Sequence, residues 1–429
     1  MKLTKLIATI IVAASALVAT AQNSVNSPYS RLGYGILSDN VTSAQRGMGG
    51  VGYAMNSGRQ INVMNPASYA AIDTLTFLFD MGGNLRQTWS TEPSTGANGK
   101  DLTGGLDYIT MQFPLGRYMG GSFGLLPYSQ TGYSFGNTVT GGEDDENLGV
   151  TSRQGNGGIN QLYLGVAGRP FKGFTVGANI AYLFGNTLND TYVTTATGDQ
   201  SLFERVMKVT DYKLDFGVQY SMRLRPRHRL TAGVVFSPGK SLHGKTYGVD
   251  YPMNSTDTSI VPDTIGETSL KGKYSMPDTW GAGINYEYDD RLMVEADFTY
   301  QPWSKVKYQP LEGYESETQA FSDRWKFNVG AQFTPRPRGS YFQRVQYRIG
   351  GFYTHDYLMA QGNNVREYGA SIGFGLPTAN SMMLRSIVNI SFEYRRRQAH
   401  PMPMIKEDCF MVTLGINFNE MWFFQNKIN

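Results

Sequence analysis

The sequence predicts an all-β chain folded as a transmembrane antiparallel β-barrel of about fourteen strands, with an N-terminal plug or hatch segment inside it. Three observations carry that prediction. After residue 73, apolar and polar residues trade places at every step over many segments, the period of a strand with one apolar and one polar face. The connections between those segments alternate short and long. The composition joins 50 glycines and 13% aromatics, with no apolar run after the N-terminus long enough for a membrane helix.

Taken in order, the first element is a signal peptide, expected at residues 1–21. Lys2 and Lys5 form a positive start, Leu6 to Val18 an apolar run, and Ala19-Thr20-Ala21 a small-residue cleavage site. That run is too short for a spanning helix, so an exported protein is expected, located in the outer membrane of a Gram-negative cell. No cysteine follows the cleavage site, which argues against a lipoprotein. Cys409 is the sole cysteine, so no internal disulfide is available. Loss of the two lysines lowers the formal charge from +3 to about +1, far from the basic face that a nucleic-acid partner requires.

Residues 22–73 come next. They are rich in Gly and Asn, alternate poorly, and have the size of a plug for the barrel that follows. Gly47, Gly49 and Gly52 spell G-x-G-x-x-G, which in a strand–turn–helix unit cradles a dinucleotide pyrophosphate. Here the context is wrong. "LSDNVTSAQR" is a poor strand, Gly58 and Pro66 interrupt any following helix, and Asp73, 21 residues beyond Gly52, opens a barrel strand. No cofactor is expected.

Residues 74–418 are the predicted barrel. Strands are expected near 74–84, 104–115, 118–128, 160–168, 174–185, 206–223, 229–237, 278–288, 290–301, 324–334, 344–354, 365–377, 385–395 and 408–418. Phe174, Val176, Ala178, Ile180, Tyr182 and Phe184 share one face, with Thr175, Gly177, Asn179 and Ala181 on the other. Short connections such as 169–173, 223–229 and 289–290 alternate with the long stretches 129–159 and 238–277, the rhythm of periplasmic turns and extracellular loops. Residues 419–429 are left as a periplasmic tail carrying Trp422, Phe423 and Phe424.

A barrel of this size leaves an interior that side chains from the wall alone do not fill. Alternation places Asp215, Glu287, Glu295, Asp297, Lys326, Arg348, Glu367 and Glu393 on the lumen face. Arg31, Arg46 and Arg59 of the plug are expected to pair with some of these carboxylates, since a guanidinium offers forked donors.

Other motifs are discounted. "GGSFG" (120–124) fits the hydrolase elbow, but Ser122 falls within a strand and no helix follows. "GVVFSPGKS" (233–241) has five residues between its glycines where a phosphate loop has four. His228, His243, His355 and His400 lie in turns or loops without metal-ligand spacing. The acidic run 142–149 reads as a solvated loop. No catalytic constellation stands out, so a non-enzyme is expected.

The residues resemble the FadL-type outer-membrane transport protein family, the long-chain fatty acid and hydrophobic-compound transporters. "GMGGVGYA", which contains Gly47, Gly49, Gly50 and Gly52, leads to Asn65-Pro66-Ala67, as in that family's hatch. "MPDTWGAGINYEYDDRLMVEADFTYQPWS" (276–304) is similar to its hairpin, with Pro277, Gly281, Gly283, Tyr286, Leu292, Asp297, Trp303 and Ser304 in place. The resemblance runs from about residue 27 to the C-terminus. It implies a fourteen-stranded barrel, a hatch, and a kinked third strand opening sideways into the bilayer. Gly120, Gly121, Ser122, Gly124 and Pro127 occupy that strand here. Gly and Pro weaken strand pairing and so allow a kink; the alternative is that these small residues simply make room for the plug.

The function so implied is passive uptake of small hydrophobic compounds such as fatty acids, with membrane lipid and a hydrophobic ligand as partners. The alternative is a non-transporting barrel that docks within an outer-membrane secretion or assembly complex. That role would require a protein partner.

Overall fold

The computed structural model describes residues 25–141, 146–195, 200–252, 263–311, 320–378 and 386–421. The signal-peptide region 1–21 and the aromatic tail beyond Met421 lie outside the described residues, as does 142–145 of the acidic run.

Fourteen antiparallel strands close into a barrel. They are β1 (Thr76–Thr91), β2 (Asn98–Gly116), β3 (Met119–Gly141), β4 (Glu146–Phe171), β5 (Phe174–Thr195), β6 (Gln200–Arg225) and β7 (His228–Ser237). There follow β8 (Thr279–Tyr288), β9 (Leu292–Gln301), β10 (Arg324–Phe333), β11 (Gln346–Ala360), β12 (Asn363–Pro377), β13 (Ile387–His400) and β14 (Lys406–Met421). Each pairs with the next, and β14 returns to β1 over its whole length, from Lys406 opposite Thr91 to Met421 opposite Thr76.

Outward positions are apolar. Ile180, Trp280, Ile284 and Ile349 are all more than half exposed, whereas their strand neighbours Asn179, Asn285 and Arg348 are buried. A membrane accepts this inversion because the wall's outside meets lipid and the strands hydrogen-bond round the ring. No described helix is long and apolar enough to cross a membrane.

The strands run further than alternation suggests. The stretch 129–159, expected as a loop, is largely the upper part of the β3–β4 hairpin, paired from Ser129 opposite Ile159 to Gly141 opposite Glu146. It was masked in the sequence by polar residues on both faces, which is what a hairpin rising above the lipid can carry. The stretch 238–277 likewise contains strands. Gly244–Pro252 pairs with β6 from Val209 to Ser201, and Asp263–Ser269 pairs with Gly244–Pro252. At the chain's end, β14 extends to Met421, so residues 419–421 are strand.

Residues 25–72 sit within the ring. They carry three short helical turns, Pro28–Arg31, Ser43–Arg46 and Pro66–Ala71, and a two-residue strand, Ile36–Leu37. Most are buried, including Met48, Val51, Ala54, Ile61 and Tyr69 at almost no exposure. The segment descends the barrel. Ser27 lies against Gly132 at the long-loop end, and Ala70 O accepts from Arg169 at the short-turn end.

Candidate functional site

The site is the contact between residues 25–72 and the wall around them. It begins with backbone geometry. Gly49 and Gly50 both take positive φ, 69° and 77°, which other residues adopt only with strain. Their conformation turns the chain so that its amides and carbonyls face the wall. Opposite them the wall is itself bare. A methyl group at Gly350 would overlap the Met48 backbone, one at Gly233 the Tyr53 carbonyl, and one at Gly120 the Tyr69 carbonyl. Wall glycines thus let two backbones touch.

Two carboxylates on β9 then fix the turn. Asp297 Oδ2 accepts from the backbone N–H groups of Gly52 (2.6 Å) and Tyr53 (3.0 Å). Glu295 Oε1 accepts from those of Ala54 (2.8 Å) and Met55 (3.0 Å), while Asn285 donates to its other oxygen at 2.7 Å. Asn328 and Ser371 complete the cradle: Asn328 donates to Gly49 O and Ser371 Oγ accepts from Gly49 N. The G-x-G-x-x-G motif therefore presents amides to protein carboxylates.

Asn65-Pro66-Ala67 forms the lower anchor. The Asn65 amide oxygen accepts from Ala67 N at 3.0 Å and starts the turn, and its nitrogen donates to Tyr53 O at 2.7 Å. Pro66 fits the first helical position, where no N–H is required.

Arg46 and Arg59 diverge from the expected pairing. Arg46 does bind a carboxylate, but it is Asp107 (2.8 Å), which also accepts from Asn84. Asp107 escaped the lumen-facing set because β2 bulges there. Gly82 pairs with Tyr108 and Gly83 with Leu106, so Asp107 is the extra residue and both it and Tyr108 turn inward. Tyr108 then accepts from Ser43 N and donates to Asp80. Arg59 is exposed and makes no ion pair among the described residues. The segment's own Asp39 takes Lys326 at 2.6 Å. Burial works to raise the Asp39 carboxyl, but Lys326, with Arg395 and Arg324 beyond, outweighs it and holds the group well below the usual carboxylate range.

The remaining predicted charges serve the wall. Glu367 joins Arg395 (3.0 Å) and Arg397, and Glu393 joins Arg395. Arg348 donates to Gln332 and Asn389, Asp215 meets Lys213 and Ser237, and Glu287 meets Arg229. None of these was assigned an in-wall partner from the sequence, since pairing across strands depends on register.

The third strand departs from its neighbour at one point. The β2–β3 ladder ends at Ile109 opposite Leu125, and β2 residues 98–108 pair with β1 alone. Above Leu125 the free side of β3 is taken by the inner segment: Ile36 lies opposite Gln130, Leu37 opposite Ser129, and Ser38 N donates to Tyr128 O. Pro127 marks the divergence, where the β3–β4 register also shifts. Ser122, below it, donates to Met111 O at 2.7 Å and contacts the Tyr163 hydroxyl, so it stands in the wall and not at a nucleophile elbow.

Around Tyr34 of the inner segment lies a dense aromatic cluster. Tyr34, Trp303, Tyr308, Phe321 and Tyr357 pack together, with Trp303 stacked on Tyr357 at 4.2 Å between centroids. Below it, a cavity of about 110 Å³ is bordered by Asp39, Lys213, Asp215, Arg324 and Lys326 together with Leu37 and Tyr128. Its lining is about evenly polar and apolar.

The closed fourteen-stranded barrel is shared with solved structures of FadL-type outer-membrane proteins. The chain is similar to a monoaromatic hydrocarbon channel, CymD, at 16% identity and a TM-score of 0.57, over 90% of this chain and 98% of that one. It is similar to a Pseudomonas aeruginosa FadL homologue at 12% identity and 0.58, again over 90% and 98%. It is similar to the P. putida toluene transporter TodX at 13% identity and 0.56, over 90% and 100%. These neighbours are channels and transporters, and at such identity they speak for the fold. No curated protein sequence matches the chain. The family model described as BamG matches residues 3–429, and the chain belongs to that family.

Proposed function

We propose that the chain is a passive outer-membrane channel for small hydrophobic compounds, fatty acids among them, with its lateral exit at the β2–β3 seam and residues 27–38 as the latch. The observation that carries this reading is the unzipped seam. A barrel strand above Leu125 is replaced by a two-residue strand of the inner segment, which costs far less to release than a full ladder. Gly33 and Gly35, both at positive φ, flank Tyr34 in that latch and supply its hinges. The aromatic cluster beside it is almost wholly buried. Release of the latch would bare its rings to a compound arriving from outside, at about 25 cal/mol per Å² of apolar surface reburied. CymD and TodX are named for monoaromatic hydrocarbons and toluene, which supports this class of cargo. Transport so described needs no covalent chemistry.

The filled interior favours a second reading, a non-transporting barrel that docks within a secretion or assembly complex. One experiment separates the two. In a Cys409→Ser background, Leu37→Cys and Ser129→Cys stand opposite each other, at strand-pair spacing suited to a disulfide. Proteoliposomes bearing this tether should take up labelled toluene and palmitate only after reduction. Uptake equal to that of empty liposomes in both redox states overturns the channel reading and leaves the docking role.

A further inference from the structure

The short-turn end of the barrel is unusually basic. The base of the β6–β7 hairpin places Arg223, Arg225, Arg227 and Arg229 within seven residues. Arg223 and Arg229 stand directly opposite each other across the hairpin, an arrangement of like charges that costs stability unless an anion intervenes. Glu287 partners Arg229, and Arg227 reaches Asp289 only at 3.9 Å, with both side chains largely exposed. Arg223 and Arg225 are exposed and have no carboxylate within ion-pair distance among the described residues.

Neighbouring turns extend this charge along the rim, interrupted by the exposed Asp289 and Asp290 of the β8–β9 turn. Ser221 N donates to Gly173 O, which joins the Lys172 turn to the arginine hairpin. Asp289 N donates to Arg227 O, and Thr334 N to Arg291 O, which carries the rim round to Arg336 and Arg338. Lys172, Arg336 and Arg338 are exposed and also lack a carboxylate partner among the described residues. At the opposite end some surface cations are matched, as in Lys245 with Glu267 and both Arg396 and Lys406 with Asp408. Lys271, Lys273, Lys305 and Lys307 are exposed there singly or in pairs, without the four-arginine hairpin of the short-turn end.

Apolar side chains alternate with these cations on the lipid side. Phe171 stacks on Phe174 with rings 4.6 Å apart and 4° from parallel. Leu224 is more than half exposed between Arg223 and Arg225, and Phe342, at 75%, is among the most exposed hydrophobic residues described. Guanidinium groups beside outward-facing aromatics at one level around a barrel suit the headgroup zone of a membrane, where rings sit at the interface and cations meet phosphate. A protein partner would call for a compact patch, whereas this belt follows the circumference.

We infer that the short-turn rim binds anionic phospholipid headgroups of the periplasmic leaflet. The inference rests on the barrel's orientation in the membrane and not on the channel reading, so the two fail independently. Native mass spectrometry of the full-length mature barrel tests it, with lipid supplied as an equimolar mixture of phosphatidylglycerol and phosphatidylethanolamine. At low salt the wild type should retain phosphatidylglycerol over phosphatidylethanolamine by about tenfold, falling towards parity at high salt as the charges are screened. The variant Arg223→Gln/Arg225→Gln/Arg336→Gln/Arg338→Gln should lose that preference while keeping its heat-modifiable electrophoretic mobility, and Lys271→Gln/Lys273→Gln at the other end should keep it. Equal retention of both lipids by the wild type overturns the proposal. So does an undiminished preference in the folded quadruple variant, or arginine-dependent recovery of an acidic periplasmic protein without any lipid preference.

Discussion

Removing the two carboxylates that hold the glycine turn, as Glu295→Ala/Asp297→Ala, should release residues 52–55 from the wall while leaving the barrel closed. Four backbone amides, those of Gly52, Tyr53, Ala54 and Met55, donate to these side chains. Both carboxylates are almost fully buried, so no bulk water stands ready to replace them. A buried donor left without an acceptor costs about 1–3 kcal/mol. Taking the lower figure for each amide, the local cost is about 4 kcal/mol, or about a thousandfold in the opening equilibrium. Hydrogen exchange read by mass spectrometry reports that quantity directly. Peptides covering 48–56 should exchange about a thousandfold faster in the variant, with β12 to β14 unchanged. The reasoning fails if protection across 48–56 is unaltered in a variant that still shows the folded barrel's heat-modifiable mobility.

Three further outcomes follow from the same contacts. Gly233→Ala should destabilise the folded chain by about 1–3 kcal/mol in chemical denaturation, because its methyl overlaps the Tyr53 carbonyl and the interior has no room to yield; an equal stability would mean that the segment stands off from the wall. Arg46→Ala strands Asp107 in a buried site and should cost about 3–5 kcal/mol, with the Arg46→Ala/Asp107→Asn double variant recovering part of it in the same assay. The Asp39 carboxyl is held below its unfolded value, so its contribution to stability is present above the usual carboxylate range and is lost only as pH falls through that range towards the lower folded value. Between pH 7 and pH 5, then, Asp39→Asn should weaken denaturant resistance by the same amount, and a gap that closes already at pH 5 would refute the Lys326 pairing.

Sequence periodicity carried the barrel far. The alternation of Trp280, Ala282 and Ile284 against Gly281, Gly283 and Asn285 is a direct image of lipid outside and a packed interior within. It stopped where lipid stops. Above the bilayer both strand faces are polar, so the upper halves of β3 and β4 had no pattern to reveal them. It also failed at the bulge, where one added residue turned Asp107 inward against the expected parity. Gly120 could be read as room for an inner segment, but neither it nor Gly233 could be matched to the backbone that arrives there, Tyr69 and Tyr53. Ion-pair partners were the least legible. Arg46 finding Asp107, and Lys326 finding Asp39, depend on how a segment with no period of its own descends the barrel.

The central claim is that residues 25–72 fill a fourteen-stranded ring, and ion conductance in planar bilayers tests it most directly. The mature chain should insert without opening a steady pore, whereas a chain lacking residues 25–72, confirmed as folded by heat-modifiable mobility, should give large ohmic conductance. Steady conductance of the same size from both chains would contradict the account.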